Sequence, residues 1–181
     1  MLNRTKRLAI LIAVASLSLT IFSCVLQLND EERQLVGYWN SAEFREIEQD
    51  GIPCSLIMNE DVHFKSDRKL VSDIDIKVQY FIDEYFSSEI VKCTFYCHLE
   101  GSWEIENGYL VENYDNVEIE LSDVKSTMGE IPEMKNSMEE MIPVLKNEML
   151  GKQRSKILDI TSNEMSLKDD EGEVAKYKKI K

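Results

Sequence analysis

Histidine and positive charge are both scarce in this chain. Its 181 residues include two histidines, His63 and His98, and 21 lysines and arginines against 34 acidic residues. The sequence has no nucleophile elbow, no glycine-rich phosphate loop and no metalloprotease helix, and these are the patterns that most directly indicate catalysis. We therefore expect neither enzymatic activity nor a cofactor.

The deficit of positive charge grows beyond the N-terminal residues. Residues 1–23 contain Arg4, Lys6 and Arg7 and no acid, so the rest of the chain has 18 basic and 34 acidic residues. The formal net charge of that part is −16, which repels the phosphates of nucleic acids and of anionic lipid headgroups. We expect neither of them as a partner.

The first 24 residues have the pattern of a secretory signal peptide. A basic start precedes an uncharged, mostly apolar run over residues 8–22, and a small residue, Ser23, follows it. The ending Ile21-Phe22-Ser23-Cys24 resembles the lipobox of bacterial lipoproteins, which implies that Cys24 is diacylated and becomes the new N-terminus. We expect a lipid-anchored protein of the bacterial cell envelope, in the outer membrane, with residues 24–34 as a lipidated tether.

An uncleaved transmembrane anchor is the alternative. The uncharged stretch continues past Cys24 to Leu28, and about twenty residues is close to the length that spans a bilayer. Five polar residues weaken this stretch: Ser16, Ser18, Thr20, Ser23 and Gln27. We favour the lipoprotein because the residues before Cys24 match a cleavage site.

Three cysteines follow the anchor cysteine, and three thiols cannot all pair within one chain. Cys93 and Cys97 are four residues apart, so on one strand they share a face but lie too far apart to bond. Either can pair with Cys54 if the two strands are neighbours; otherwise all three are small buried hydrophobic side chains. A zinc site needs more ligands than His98 beside Cys97 supplies, and we expect no metal.

Alternation of apolar and polar residues predicts a series of short strands beyond Leu35. The predicted strands are 35–47, 70–86, 89–106, 109–114, 117–121, 156–160, 164–167 and 174–180. Asn107-Gly108 predicts a hairpin turn of type I′, Asp115-Asn116 a second turn, and Gly101 a bulge. Many short strands with regular turns are typical of an antiparallel barrel or sandwich.

Residues 126–152 interrupt the strands with a helical pattern. Apolar residues, most of them methionines, recur three or four positions apart on one face: Met128, Ile131, Met134, Met138, Met141, Leu145 and Met149. A capping box at Thr127 and the position of Pro132 place the start near residue 130. Pro143 predicts a kink or a division into two helices, and Gly151 predicts the end.

Three segments resemble lipocalins and their bacterial lipocalin-like relatives. Leu35-Val36-Gly37-Tyr38-Trp39 resembles their Gly-x-Trp start, and Gly101-Ser102-Trp103-Glu104-Ile105 with Asn107-Gly108-Tyr109-Leu110 resembles their mid-barrel hairpin. Residues 157–177 resemble their closing hairpin. The resemblance implies that residues 35–181 form an antiparallel lipocalin-like barrel with a helical insertion and an apolar cavity. Trp39 would plug one end of it by burying a large ring.

The favoured function is the binding of a small apolar ligand or lipid in the barrel mouth. The candidate contacts are inward aromatic residues and the methionine face, which can adapt to varied apolar partners: Tyr80, Phe95, Tyr96, Met134, Met138 and Met141. The alternative is a protein-interaction module of an envelope complex that uses the acidic surface and the Met-rich helix. An enzyme ranks third. A deep apolar cavity favours the first function, and a filled barrel with an exposed helix face favours the second.

Substituting the predicted acylation site tests the anchor. Cys24→Ala should abolish acylation and release the protein from the membrane fraction, because the thiol is the point of lipid attachment. Fractionation of cells expressing each form measures this. Unchanged retention in the membrane fraction would favour the transmembrane anchor instead.

Overall fold

The computed structural model describes residues 28–49, 52–84, 87–127, 129 and 132–180. The predicted signal peptide and Cys24 lie outside these residues, as do Met128 and Ile131 of the predicted helix face. Residues 31–181 form one compact unit. The elements, in chain order, are α1 (Asp30–Leu35), β1 (Gly37–Gln49), β2 (Ile52–Phe64), β3 (Lys69–Glu84), β4 (Ser87–Glu106), β5 (Tyr109–Ser126), α2 (Pro132–Met149), β6 (Gly151–Ile160), β7 (Glu164–Lys168) and β8 (Val174–Ile180).

The eight antiparallel strands hydrogen-bond in chain order and close into a barrel. Pairing between β1 and β8 completes the closure, from Tyr38 opposite Ile180 to Ser41 opposite Tyr177. The single helix between β5 and β6 precedes the last three strands. The structure therefore confirms the predicted class, a mainly β antiparallel barrel of lipocalin-like form with one helical insertion.

Two predicted turns in the middle of the chain have different outcomes. Asn107 and Gly108 have φ angles of 54° and 78°, which confirms the two-residue turn of type I′ between β4 and β5. The turn predicted at Asp115-Asn116 is wrong, because β5 continues through it. Asp115 is instead an extra residue opposite the step from Glu100 to Gly101, so the chain absorbs it as a bulge.

Gly101 permits the close approach of two strands at this bulge. A Cβ atom at Gly101 would lie 2.1 Å from the carbonyl oxygen of Asn113, well inside van der Waals contact. Only glycine can occupy this position without moving the backbone of β5. The predicted irregularity at Gly101 is therefore confirmed, although the extra residue belongs to the partner strand.

Strand β2 is an element that the sequence pattern did not predict. It pairs along its whole length with β1, from Phe64 opposite Gly37 to Ile52 opposite Gln49. Three consecutive polar residues, Asn59-Glu60-Asp61, interrupt the apolar alternation in its middle. The alternating pattern is lost here because Glu60 occupies a position where a half-buried strand normally has an apolar residue.

Helix α2 is shorter than the predicted range of 126–152. Strand β5 extends to Ser126 and β6 begins at Gly151, so both ends of that range belong to strands. Pro132 is the first helical residue, where the missing backbone N–H leaves no hydrogen bond unmade. Pro143 lies inside one continuous helix, so of the two predicted outcomes, a kink or a division, the division is wrong.

Helix α1 includes part of the predicted tether. Leu35 at its end is fully buried, and Glu32 is 3% exposed. The Glu32 carboxylate pairs with the guanidinium of Arg68, with 2.6 Å between Oε1 and Nη2. A buried carboxylate needs such a partner, so the folded part of the chain begins before residue 35.

Trp39 is buried at the end of the barrel next to α1. Its side chain is 0% exposed, and its indole N–H donates to the carbonyl oxygen of Leu35 at 2.7 Å. The ammonium group of Lys179 lies 4.9 Å from the ring centroid and donates to the carbonyl oxygen of Gln34 at 2.8 Å. The ring therefore fills space while its polar atom stays satisfied.

Trp103 is the second large ring at this end. Its indole N–H donates to the carbonyl oxygen of Lys65 at 3.0 Å, in the turn between β2 and β3. The edge of its ring packs against Phe64 with the centroids 5.9 Å apart. Two tryptophans, each bonded to backbone, thus close this end of the barrel.

Removing the Trp39 ring tests how much it contributes to the stability of the fold. Trp39→Ala should lower the free energy of unfolding by about 3–5 kcal/mol, because the ring is fully buried and would leave a cavity. Urea denaturation followed by circular dichroism measures the change. Phe44→Ala is the matched control on the same strand, since Phe44 is 62% exposed, and it should cost less than about 1 kcal/mol. Equal effects of the two substitutions would contradict the assignment.

Candidate functional site

The interior of the barrel has two parts of different chemistry. Every second side chain of a strand points inward, so on β1 the buried residues Trp39 and Ser41 alternate with the exposed Tyr38 and Ala42. Towards α2 the inward side chains are apolar, whereas midway along the barrel they are polar. Each part encloses a cavity.

The apolar cavity lies between the strands and α2 and has a volume of about 300 Å³. Strands β1 to β5 and one face of α2 line it. The lining residues are Ile47, Leu56, Met58, Ile76, Val78, Tyr80, Phe95, Cys97, Ile119, Met138, Met141, Leu145 and Met149. Apart from the tyrosine hydroxyl and the thiol, these side chains offer only hydrocarbon and thioether surface.

Five of the six predicted ligand contacts belong to one hydrophobic cluster, and four of them line this cavity. Tyr80, Phe95 and Met138 are buried in one hydrophobic cluster, and Met134 and Met141 pack against it. All of these except Met134 line the cavity itself. The methionine face of α2 therefore packs onto the open end of the barrel.

Tyr96 is the one predicted contact that lies outside this cluster, and it does not line the cavity. Neighbouring residues of a strand face opposite sides, so the inward Phe95 requires an outward Tyr96, which is 40% exposed. Its hydroxyl donates to the Asp73 carboxylate at 2.6 Å, and Nδ1 of His98 lies 2.6 Å from the same oxygen. The hydrogen bond to Asp73 raises the pKa of Tyr96 to about 12.

The three cysteines of the barrel are free and buried. Strand β3 separates Cys54 on β2 from Cys93 and Cys97 on β4, so neither of the two disulfides considered from the sequence forms. Burial raises the pKa of each thiol, that of Cys97 to about 11. Because only the thiolate is a strong nucleophile, these residues act as small apolar side chains.

The polar cavity has a volume of about 240 Å³ and is lined by residues of all eight strands. Glu60 accepts two hydrogen bonds in this cavity. The Ser72 hydroxyl donates to Oε1 of Glu60 at 2.6 Å, and the Tyr177 hydroxyl donates to Oε2 at 2.7 Å. On β5, the Tyr114 hydroxyl donates to Oε1 of Glu112 at 3.2 Å.

The two carboxyl groups of this cavity hold their protons more tightly than usual. Burial is the main cause that raises the pKa of Glu60. Burial followed by repulsion from Glu60 raises the pKa of Glu112 to about 8. Both effects disfavour the charged form, so Glu112 is mostly protonated at neutral pH.

Arg45 is the one base among the residues that line the polar cavity. Its guanidinium group hydrogen-bonds the Glu43 carboxylate at 2.9 Å. That bond, the largest contribution, raises the pKa of Arg45. The arginine is therefore already paired with a carboxylate other than Glu60 or Glu112.

Sequence reasoning did not identify the polar cavity. Glu112 and Tyr114 follow Leu110 at intervals of two on β5, so a buried Leu110 places all three inside. This alternation could have placed Glu112 and Tyr114 inside the barrel. It was not followed because inward positions are usually apolar, and a carboxylate there is an exception. Glu60 could not be placed because β2 was not predicted.

In the described part of the chain, no three His, Cys, Asp or Glu side chains are grouped so as to hold a metal ion. No helix among these residues is both long and apolar enough to cross a bilayer. A comparison with protein-family models and one with curated proteins each found no match.

The raised pKa of Glu112 predicts how stability depends on pH. The folded protein keeps a proton on Glu112 that the unfolded chain releases near its ordinary pKa of 4.5. Stability from this group is therefore complete below about pH 4.5 and falls as the pH rises towards about 8. Glu112→Gln should flatten this decline, as measured by urea midpoints across the range.

Glu120→Gln is the control for that experiment, because Glu120 is exposed on the outer face of the same strand. It removes one carboxyl group from the acidic surface and should leave the slope almost unchanged. Identical slopes for the Glu112→Gln and Glu120→Gln variants would contradict the raised pKa of Glu112.

Proposed function

We propose that this protein is a lipid-anchored protein of the bacterial cell envelope that binds a small apolar molecule at the mouth of its barrel. The observation that carries the proposal is the apolar cavity of about 300 Å³ enclosed by strands β1 to β5 and the methionine face of α2. The site contributes binding surface and no reactive group, so the proposed role is that of a carrier or sensor.

The chemistry of the cavity wall supports this proposal. Ligand pockets usually have volumes of about 300–1,000 Å³ and are mostly apolar, so this cavity corresponds to a small ligand. Met138, Met141 and Met149 form much of its wall on the helix side. Methionine side chains are flexible and polarisable, and they can change rotamer to admit ligands of different shape.

The anchor rests on the N-terminal sequence. A basic start, an apolar run and a small residue before Cys24 are typical of exported lipoproteins, and two acyl chains give a stable attachment. The net charge of −16 beyond residue 23 keeps the folded domain away from anionic headgroups. A tethered domain of this charge samples the aqueous compartment beside the membrane.

A protein-interaction module is the second candidate. Its methionine face packs onto the barrel in this structure, so this candidate relies on the outer surface. There Phe44 on β1 lies opposite Ile57 on β2, and the two side chains are 62% and 46% exposed. This apolar pair on an acidic protein is the observation that favours a partner.

Native mass spectrometry tests the proposed ligand. Residues 27–181, which include the compact unit, should retain a small apolar molecule that solvent extraction releases and identifies. Ile76→Phe should reduce its binding by at least about tenfold, because the larger side chain takes up cavity space. Ile57→Phe is the same exchange at an exposed position and should leave binding unchanged.

An empty protein that also gains nothing from an added lipid mixture would contradict the proposal. Unchanged binding in the Ile76→Phe variant would mean that the ligand binds outside the cavity. In either case, crosslinking in intact cells would test the Phe44–Ile57 surface for a protein partner.

A further inference from the structure

We infer that the polar cavity is a second binding site, and that it takes a small molecule bearing a protonated primary amine. This goes beyond the proposed function, which concerns only the apolar cavity. Three observations lead to it: the unused acceptors of two partly buried carboxyl groups, an unpartnered serine hydroxyl, and a local excess of negative charge.

The carboxyl groups of Glu60 and Glu112 retain capacity to accept hydrogen bonds. Each oxygen of Glu60 accepts one bond, from Ser72 or from Tyr177, and a carboxylate oxygen can accept two. Glu112 accepts one bond, from Tyr114. All of these donors are neutral hydroxyl groups, so neither carboxyl group has a cation as its hydrogen-bond partner.

Ser41 lies in the same cavity with its hydroxyl unpartnered. Its side chain is 4% exposed and lines the polar cavity, and its Oγ has no hydrogen-bond partner among the described residues. In the strand register Ser41 stands opposite Glu60 on one side and Tyr177 on the other. A buried hydroxyl without a partner is costly, and a bound donor would satisfy it.

The charge of the cavity wall indicates the sign of the ligand. Five of the lining residues are acids and one is a base. The base, Arg45, hydrogen-bonds Glu43 and also lies within electrostatic reach of Glu173 and Asp169. Glu60 and Glu112 are therefore left without a cationic partner on the cavity wall. A positively charged ligand would be that partner, whereas the carboxylate of a fatty acid would be repelled.

A primary ammonium group matches this set of acceptors. It offers three N–H donors, and the cavity offers the two carboxyl groups and the Ser41 hydroxyl. The cavity volume of about 240 Å³ leaves room for a short organic chain. Met58 and Met149 line both cavities, so the carbon chain of an amine can continue towards the apolar side.

Isothermal titration calorimetry with three probes of equal chain length tests the site. The probes are n-butylammonium, n-butanol and butyrate, added to the full-length protein in a non-ionic detergent. The ammonium ion should bind at least about tenfold more tightly than the alcohol, because hydrogen bonds to charged groups are the stronger ones. Butyrate should bind most weakly.

Isosteric variants assign any binding to the cavity. Glu60→Gln and Glu112→Gln should each weaken n-butylammonium binding by about tenfold and leave n-butanol binding unchanged. Ser41→Ala, which keeps both carboxyl groups, should weaken it by about threefold. Glu120→Gln on the outer face should have no effect. Thermal melting of each variant verifies that it is folded.

The pH dependence provides an independent readout. Binding of n-butylammonium should be tighter at about pH 9 than at about pH 6, because the carboxyl groups must release protons to receive the cation. The tyrosines do not compete in this range, since burial raises their pKa well above 10. The other ionisable groups that line the cavity with this pair are Tyr114, Tyr177, Glu43, Arg45, Asp169 and Glu173.

Equal affinity for n-butylammonium and n-butanol would overturn this inference and leave the apolar site intact. Ammonium binding that survives both glutamine substitutions would also overturn it, because the cation would then be held on the acidic outer surface. If the Ile76→Phe variant loses the apolar ligand but binds n-butylammonium unchanged, the two ligands bind at different sites, as inferred.

Discussion

Backbone pairing between β1 and β8 is the constraint on which the interior of this protein depends. The pairing is short, extending only from Tyr38 to Ser41 on β1 and from Tyr177 to Ile180 on β8. It brings Tyr177 beside Glu60, 117 residues away in the sequence, and their hydrogen bond spans the closing strands. Without this pairing both strands would be free edges, and the polar cavity would be open to water.

Closure of the barrel also encloses an interior with three chemically different regions along its length. Near α1 the two tryptophans fill the barrel, midway the carboxyl groups and hydroxyls enclose the polar cavity, and beneath α2 the methionine face covers the apolar one. Burial of carboxyl groups opposes folding unless they are protonated or paired. A protein that retains Glu60 and Glu112 inside its barrel therefore carries a destabilising feature that a purely structural interior would lack.

Much of the architecture could be predicted from local sequence signals. The alternation in β3 and the positive φ angles that Asn107-Gly108 prefers are properties of neighbouring residues. The polar cavity was harder to predict, because it depends on contacts between residues that are far apart in the sequence. Phe95 and Met138 were predicted as ligand contacts from their apolar character, whereas Glu60 and Tyr177 meet only after closure. Tyr96 was misplaced because the prediction took aromatic character alone and ignored the strand period.

The buried thiols have a consequence for how the barrel's motions can be observed. Cys54 on β2 and Cys93 and Cys97 on β4 are inaccessible and protonated in the closed state. No disulfide links these three residues. Alkylation of each thiol requires local opening of the strands around it. The alkylation rate of each thiol therefore reports how often the strands around it open, and that of Cys97 reports the opening of β4 where it borders the apolar cavity.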